Sequence, residues 1–212
     1  ATISQDFRSN GIKNGDVLGL KSGYRPYPAM VIYRAKNITL DNVKIHSSQG
    51  MAIISQRSEN IHFIRSGSTY GEGRYVSATA DATHFSNCKG SIVVEDGIFE
   101  GMMDDAINIH STSMKIEEII NQSSIRIQYI HHQSVGFETF LPGEKVQFIK
   151  SDTLENDEIR TVANVVKLST TELILRIEGS IPSSITVGDS VENGEYYPSV
   201  TFKNNIVRNN CA

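Results

Sequence analysis

Ala29-Met30-Val31-Ile32 returns as Ala52-Ile53-Ile54-Ser55, then as Ala82-Thr83-His84-Phe85, and again as Ala106-Ile107-Asn108-Ile109. The spacing is 23 residues from 29 to 52, 30 from 52 to 82 and 24 from 82 to 106. A β-branched and aromatic run that follows an Asn, Gly or Ser turn recurs alongside: KNITLDNVKI (36–45), ENIHFIRSGS (59–68), GSIVVEDGIF (90–99) and, much later, PSVTFKNNIV (198–207). Short strands at a period in the low twenties, without a helical pattern, predict solenoid coils. Each coil is too thin to bury its apolar side until a neighbour stacks on it. The fold class expected is all-β: a right-handed parallel β-helix.

The 30-residue spacing marks a coil with an added loop, placed in SGSTYGEGRY (66–75), where Gly67, Gly71 and Gly73 read as surface turns. A leucine-rich repeat has a similar period, but its regular leucines and asparagine ladder are missing. A β-sandwich has short strands too, yet they need not repeat in register.

After Ile116 the repeat stops, and it resumes near Pro198. The insert carries its own strand patterns, SSIRIQYIHH, EKVQFIKS, RTVANVVKL and ELILRIEG, and a VGDSVENG turn. These predict a small antiparallel β-barrel inserted at a tight turn. The organisation expected is β-helix coils over 1–116, the barrel over 117–197 and a return to the β-helix over 198–212. The chain ends where another coil is due, which predicts a cut fragment or a partner that covers the end.

Composition narrows the function. Of 212 residues, 39% are hydrophobic and 21% charged, which suffices for a buried core. Net charge is −4 and the 20 Lys and Arg are scattered, so the basic footprint of a nucleic-acid binder is absent. No run approaches the roughly 18 apolar residues of a membrane span, and the first residues do not read as a signal peptide. Cys88 and Cys211 allow one disulfide or two buried thiols, and match no zinc spacing. No phosphate loop, nucleophile elbow or dinucleotide fingerprint is present.

Chemistry concentrates in Ala80-Asp81-Ala82-Thr83-His84-Phe85 and Met102-Met103-Asp104-Asp105-Ala106-Ile107-Asn108-Ile109-His110. Asp81 and Asp105 are 24 residues apart, one coil, which stacks them on rungs about 4.8 Å apart. His84 and Asn108 share that offset. Like charges so close oppose joint ionisation unless a cation or hydrogen bonds intervene. Glycoside hydrolysis uses such a group, with one carboxyl to protonate the leaving oxygen and one carboxylate to activate water or attack. An Asp at a solenoid turn also serves simply as an acceptor for nearby backbone.

His84, His110, Asn108 and Arg74 are the candidate substrate contacts, through sugar hydroxyls. Tyr24, Tyr27 and Tyr33 can stack on a sugar ring or pack against the coil. His46, His62, His131 and His132 have no carboxylate or cysteine at ligand spacing in sequence, and no metal site is expected.

ADATHFSNCKG (80–90), GMMDDAINIHSTS (101–113) and RPYPAMVIYRAKNITLDNVKIHSSQGMAIISQ (25–56) resemble the β-helix motifs of the bacterial α-1,3-galactosidases, which cleave blood-group-B-type glycans. The similarity covers most of residues 11–116 and resumes at PSVTFKNNIVRNN. Members of that family are much longer and carry a barrel that interrupts the helix.

The resemblance implies an inverting hydrolase that uses aspartates and neither metal nor cofactor. The matching positions are Asp81, Asp104 and Asp105, with Asp104 or Asp105 as acid and the other two as the base pair. It also implies galactose-terminated glycans as partners and a periplasmic or secreted site of action. Inversion needs carboxyls roughly 6.5–9.5 Å apart, against 5–5.5 Å for retention, so a bend is expected at Asp104-Asp105. The alternatives are a polysaccharide lyase or epimerase, which needs a Lys or Arg base and calcium, and a non-catalytic carbohydrate-binding or structural β-helix.

Overall fold

The alanine columns in the sequence are the register of a sheet. In a computed structural model that describes residue 11, residues 13–16 and residues 25–210, β1 (Met30–Tyr33), β4 (Ile53–Gln56), β7 (Thr83–Ser86) and β10 (Ile107–His110) form one parallel sheet in that order. Met30 pairs with Ile53, Ile53 with Thr83, and Thr83 with Ile107, which reproduces the spacings of 23, 30 and 24.

Two more parallel sheets follow the same stacking. The second is β2 (Lys36–Asp41), β5 (Glu59–Ile64), β8 (Lys89–Glu95) and β17 (Ser199–Lys203). The third is β3 (Lys44–Ile45), β6 (Gly67–Ser68), β9 (Ile98–Glu100) and β18 (Ile206–Arg208). Each repeat thus gives one strand to each sheet.

The corners recur as well. Arg34, Arg57 and Asn87 follow β1, β4 and β7 in the left-handed backbone region, and Asn42, Arg65, Asp96 and Asn204 do so after the strands of the second sheet. Asn and Asp tolerate that conformation better than most residues. Side chains bond the backbone left free there. Ser58 Oγ accepts from Ala35 N–H (3.1 Å), Ser66 Oγ from Val43 N–H (3.0 Å), and Asn87 Oδ1 from Thr112 N–H (2.7 Å).

Between the sheets lie Ile53, Ile61, Phe63, Ala82, Phe85, Ile92, Val94, Phe99 and Met102, all buried. Phe63 of β5 and Phe85 of β7 meet across the interior, ring centroids 5.5 Å apart and planes tilted by 42°. Gly67 is a buried strand residue rather than the loop residue expected from sequence, because a Cβ there would sit 2.1 Å from the Ile98 carbonyl oxygen. The added loop starts after it. Cys88 is a buried free thiol whose burial raises its pKa to about 11; Cys211 lies outside the described residues.

The second unit is a closed antiparallel barrel, strand order β11 (Met114–Asn121), β12 (Ser124–Tyr129), β15 (Glu172–Ile177), β14 (Asn156–Lys167), β13 (Lys145–Ile149) and β16 (Ser190–Asn193). It has its own core, including Ile116, Ile125, Ile127, Phe148, Leu175 and Val191. Alternation writes this directly: β12 reads buried at every second residue. VGDSVENG is more than the turn expected from sequence. Its second half is β16, which pairs with β11 and β13 and closes the barrel.

The barrel leaves the parallel stack after β10, and β17 returns to pair with β8. Arg57 fastens the two units. Its guanidinium is almost fully buried, donates to the carbonyls of Glu138 (2.6 Å) and Thr139 (3.0 Å), pairs with Glu144, and lies 4.9 Å from the Tyr196 ring centroid. Truncating it removes the cation facing Glu144, which keeps the Leu141 N–H and Asn193 amide as donors, and empties the joint of its buried guanidinium. Arg57→Met is expected to lower stability by about 3–5 kcal/mol in urea unfolding, and Arg57→Met/Glu144→Leu to recover part of the loss. A change below about 0.5 kcal/mol contradicts this.

Asp189 closes the barrel base. Burial raises its pKa, but Lys150 Nζ (2.8 Å) and the N–H groups of Thr186 (2.9 Å) and Ser151 (3.0 Å) outweigh that and hold it at about 2. A folded pKa below the unfolded value stabilises above the unfolded value, and that stability is lost as pH falls through the folded one. Wild-type stability should therefore fall between pH of about 4 and 2 by an amount missing from Asp189→Asn. Equal acid sensitivity in the two proteins contradicts the assignment.

Candidate active site

Asp81 and Asp105 each stand just ahead of a strand of the first sheet. The register holds them together through backbone bonds: Ala82 N–H donates to the Asp105 carbonyl (2.8 Å), and Ala52 N–H to that of Asp81 (2.9 Å). His84 pairs with Asn108 in the same ladder. The chain bends at Met103 and Asp104, and Asp105 lies outside any strand. The bend expected from sequence is there, and it turns Asp104 to the same side as its neighbour. One oxygen from each of Asp81, Asp104 and Asp105 lies within 4.8 Å of the others.

Each carboxylate has a partner. Asp81 Oδ2 is 2.7 Å from His84 Nδ1, with both side chains largely buried. Asp105 Oδ2 accepts from Asn108 Nδ2 (3.0 Å). Asp104 Oδ2 accepts from Arg25 at 2.5 Å. The cation and hydrogen bonds that such crowding requires are therefore supplied by the chain. Three oxygens at this spacing have the geometry of a cation seat, but a cation entering here competes with Arg25 and His84 for Asp104 and Asp81.

Arg25 went unrecognised as a site residue in the sequence reading, 79 positions from Asp104. Its signal is weak: RPYP places Arg25 and Tyr27 each before a proline, which biases both to extended backbone. Gly50 makes room for that segment, since a Cβ there would meet the Tyr27 carbonyl oxygen at 2.9 Å and that of Arg25 at 3.3 Å.

His84 also reaches His110, Nε2 to Nε2 at 2.8 Å, and His110 Nδ1 lies 2.7 Å from the Ser111 carbonyl oxygen. Beside them a groove of about 540 Å³ runs from the first sheet to the barrel loop after β12. Gln56, His84, Asn108 and His110 line one wall, and His131, Gln133 and Phe137 the other. A second cavity, about 360 Å³ at the barrel, is lined largely by apolar residues such as Phe140, Leu141 and Leu173; neither cavity is lined by the three aspartates, and the groove reaches them through His84 and Asn108.

The structure does not bring Arg74 to this cluster. It donates to Ser47 Oγ (3.1 Å) in the added loop, because the loop leaves the stack at the third sheet rather than the first. Tyr27 and Tyr33 are exposed; Tyr24 lies outside the described residues. His62 does have a carboxylate partner, Glu95 Oε1 at 2.7 Å, supplied by the next strand of the second sheet. Among the described residues no helix is long and apolar enough to cross a membrane.

Residues 124–191 match the family described as GLAA-B beta-barrel domain II. The chain is similar to an alpha-1,3-galactosidase B of Akkermansia muciniphila, 50% identical over 212 residues that are 99% of this chain and 27% of that protein. An alpha-1,3-galactosidase B of Parabacteroides distasonis is 38% identical over 99% of this chain and 36% of its own length. An alpha-1,3-galactosidase A of Bacteroides fragilis is 32% identical over 91% of this chain and 32% of its own length. The barrel is thus similar to the GLAA-B beta-barrel domain II family, and the chain as a whole is similar to a portion of proteins named alpha-1,3-galactosidase. The chain is a partial-length relative of the bacterial α-1,3-galactosidases, and spans 27% to 36% of the length of the two galactosidase B relatives.

Proposed function

We propose that this chain is the acid-bearing part of a glycoside hydrolase that removes terminal α-1,3-linked galactose, built as a right-handed parallel β-helix with a barrel inserted after β10. The carrying observation is the meeting of Asp81, Asp104 and Asp105 within 4.8 Å, next to a groove whose lining includes their partners His84 and Asn108. Relatives named α-1,3-galactosidase support the substrate class.

In this reading one of Asp104 and Asp105 protonates the leaving oxygen, and Asp81 with the remaining one activates water for a single displacement. Asn108 meets a sugar hydroxyl, while the ring nitrogens of His84 and His110, expected from sequence to do the same, are taken up by Asp81, by each other and by the Ser111 carbonyl. Arg25 holds Asp104 in position until a sugar arrives. The groove takes the rest of the glycan, so the barrel helps choose the acceptor.

Two observations favour other outcomes. The 4.8 Å grouping is closer to the spacing of retaining enzymes than of inverting ones, so inversion requires bound sugar to spread the carboxyls. Arg25 beside acids is also what a lyase needs. Arg25 is already committed as a donor to Asp104, however, and a guanidinium is a poor base.

The test uses the longer polypeptide expected to contain this chain, with proton NMR following galactose release from Gal-α-1,3-Gal. β-Galactose should appear first, and Asp81→Asn, Asp104→Asn and Asp105→Asn should each lose about 10²-fold or more in kcat. α-Galactose as first product overturns inversion; full activity in all three variants overturns the aspartate assignment. An unsaturated uronate product selects the lyase.

If the groove holds the acceptor, Phe137→Ala should raise KM for a branched trisaccharide about tenfold while leaving an aryl galactoside within about twofold. Equal effects on both substrates remove the barrel from recognition.

A further inference from the structure

Asp81, His84 and His110 are joined in series by three contacts: 2.7 Å from Asp81 Oδ2 to His84 Nδ1, 2.8 Å from His84 Nε2 to His110 Nε2, and 2.7 Å from His110 Nδ1 to the Ser111 carbonyl oxygen. Each hydrogen bond needs one proton between its heavy atoms. A neutral imidazole brings one and an ionised carboxylate none. Two neutral rings beside an ionised Asp81 therefore supply two protons for three bonds.

The ends of the series fix where the shortage falls. The Ser111 carbonyl only accepts, so His110 Nδ1 carries a proton, and a neutral His110 then accepts at Nε2 from His84 Nε2–H. That leaves His84 Nδ1 with a bare lone pair facing the carboxylate. Only a third proton closes the series.

We propose that Asp81, His84 and His110 form one proton-holding unit, closed by a single added proton, that makes Asp81 the acceptor of the proton stripped from the attacking water. The two imidazoles are positioning residues. The inference rests on the hydrolase reading and adds to it the fate of that proton. An O–H bond of water breaks and its oxygen bonds the anomeric carbon. The glycosidic C–O bond breaks and the leaving oxygen takes its proton from the acid carboxyl. The water proton enters the unit at Asp81 and leaves to solvent through His110, which is exposed; solvent recharges the acid.

The surroundings suit this. Facing the unit are Asp105 bonded to neutral Asn108, and Asp104 matched by Arg25. β4 contributes uncharged Ile54 and Gln56, and the barrel brings His131 across the groove. Glu192 bonds the Ser111 hydroxyl beyond the far end. Among the described residues the unit therefore has no excess cation against it.

His110→Phe is the discriminating variant, because His84 and His110 already pack edge to face at 4.8 Å between centroids, so a phenyl ring keeps the packing and loses the nitrogen. Imidazole nitrogen NMR of this chain across pH should find His110 protonated at Nδ1, and both rings changing together in one step. In His110→Phe, or His110→Gln if the former does not fold, the His84 step should move by about one pH unit. Two independent steps, unmoved by either variant, overturn the unit.

In the longer polypeptide, His110→Phe should lower kcat about tenfold with KM little changed, and displace the limb of the pH profile on which the base is protonated. An unchanged profile in an active enzyme overturns the unit and leaves the hydrolase reading standing. If the wild type cleaves no galactoside, that reading fails, and the nitrogen titration alone decides the unit.

Discussion

The parallel register between β7 and β10 is the constraint on which the site depends. A ladder bonded through the Ala82 N–H and the Asp105 carbonyl puts the residue ahead of one strand directly over the residue ahead of the next. Shifting the pairing by one residue would send every side chain to the opposite face, and Asp81 would part from Asp105. The apolar interior prevents that slip. Ile53, Phe85 and Ile92 are buried only in this register, at about 25 cal/mol per Å² of apolar surface removed from water. The energy that crowds the carboxylates thus comes from the core beneath them.

Charge balance at the cluster comes from farther away in the chain. Arg25 arrives by an extended, proline-flanked segment that lies close over Gly50, and His84 is supplied by the same strand ladder that stacks the acids. The barrel is held against this face by the buried Arg57, whose partners Glu138, Thr139 and Glu144 all belong to the barrel side. The second wall of the groove is a neighbouring part of the barrel, His131, Gln133 and Phe137, the last of these directly preceding Glu138 in the chain.

Much of this was legible in the sequence because it rests on period. Alanine columns gave the spacing of the first sheet to the residue, and alternation gave β12, β13 and β15 of the barrel. A bend at Asp104 was expected in order to widen the carboxyl separation; the chain does bend there, but one oxygen of each of the three acids stays within 4.8 Å of the others. What escaped has no local signature. Gly67 looks like a loop glycine, and only the approach of Ile98 reveals a strand. Arg25 and Arg74 look equally eligible as cations, and only the path of the chain separates them. The Glu95 partner of His62 sits 33 residues away on the next strand of its sheet, and β16 was hidden inside a segment that reads as a turn.

The central claim is that one repeat of the stack makes Asp81 and Asp105 a single acid centre. A double-mutant cycle on galactose release tests it most directly, with Asp81→Asn, Asp105→Asn and the pair compared in the longer polypeptide. Groups that act as a unit give grossly non-additive losses, so the double variant should be no slower than about tenfold below the worse single one. Losses that simply multiply would mean two carboxylates working apart, and would contradict the account.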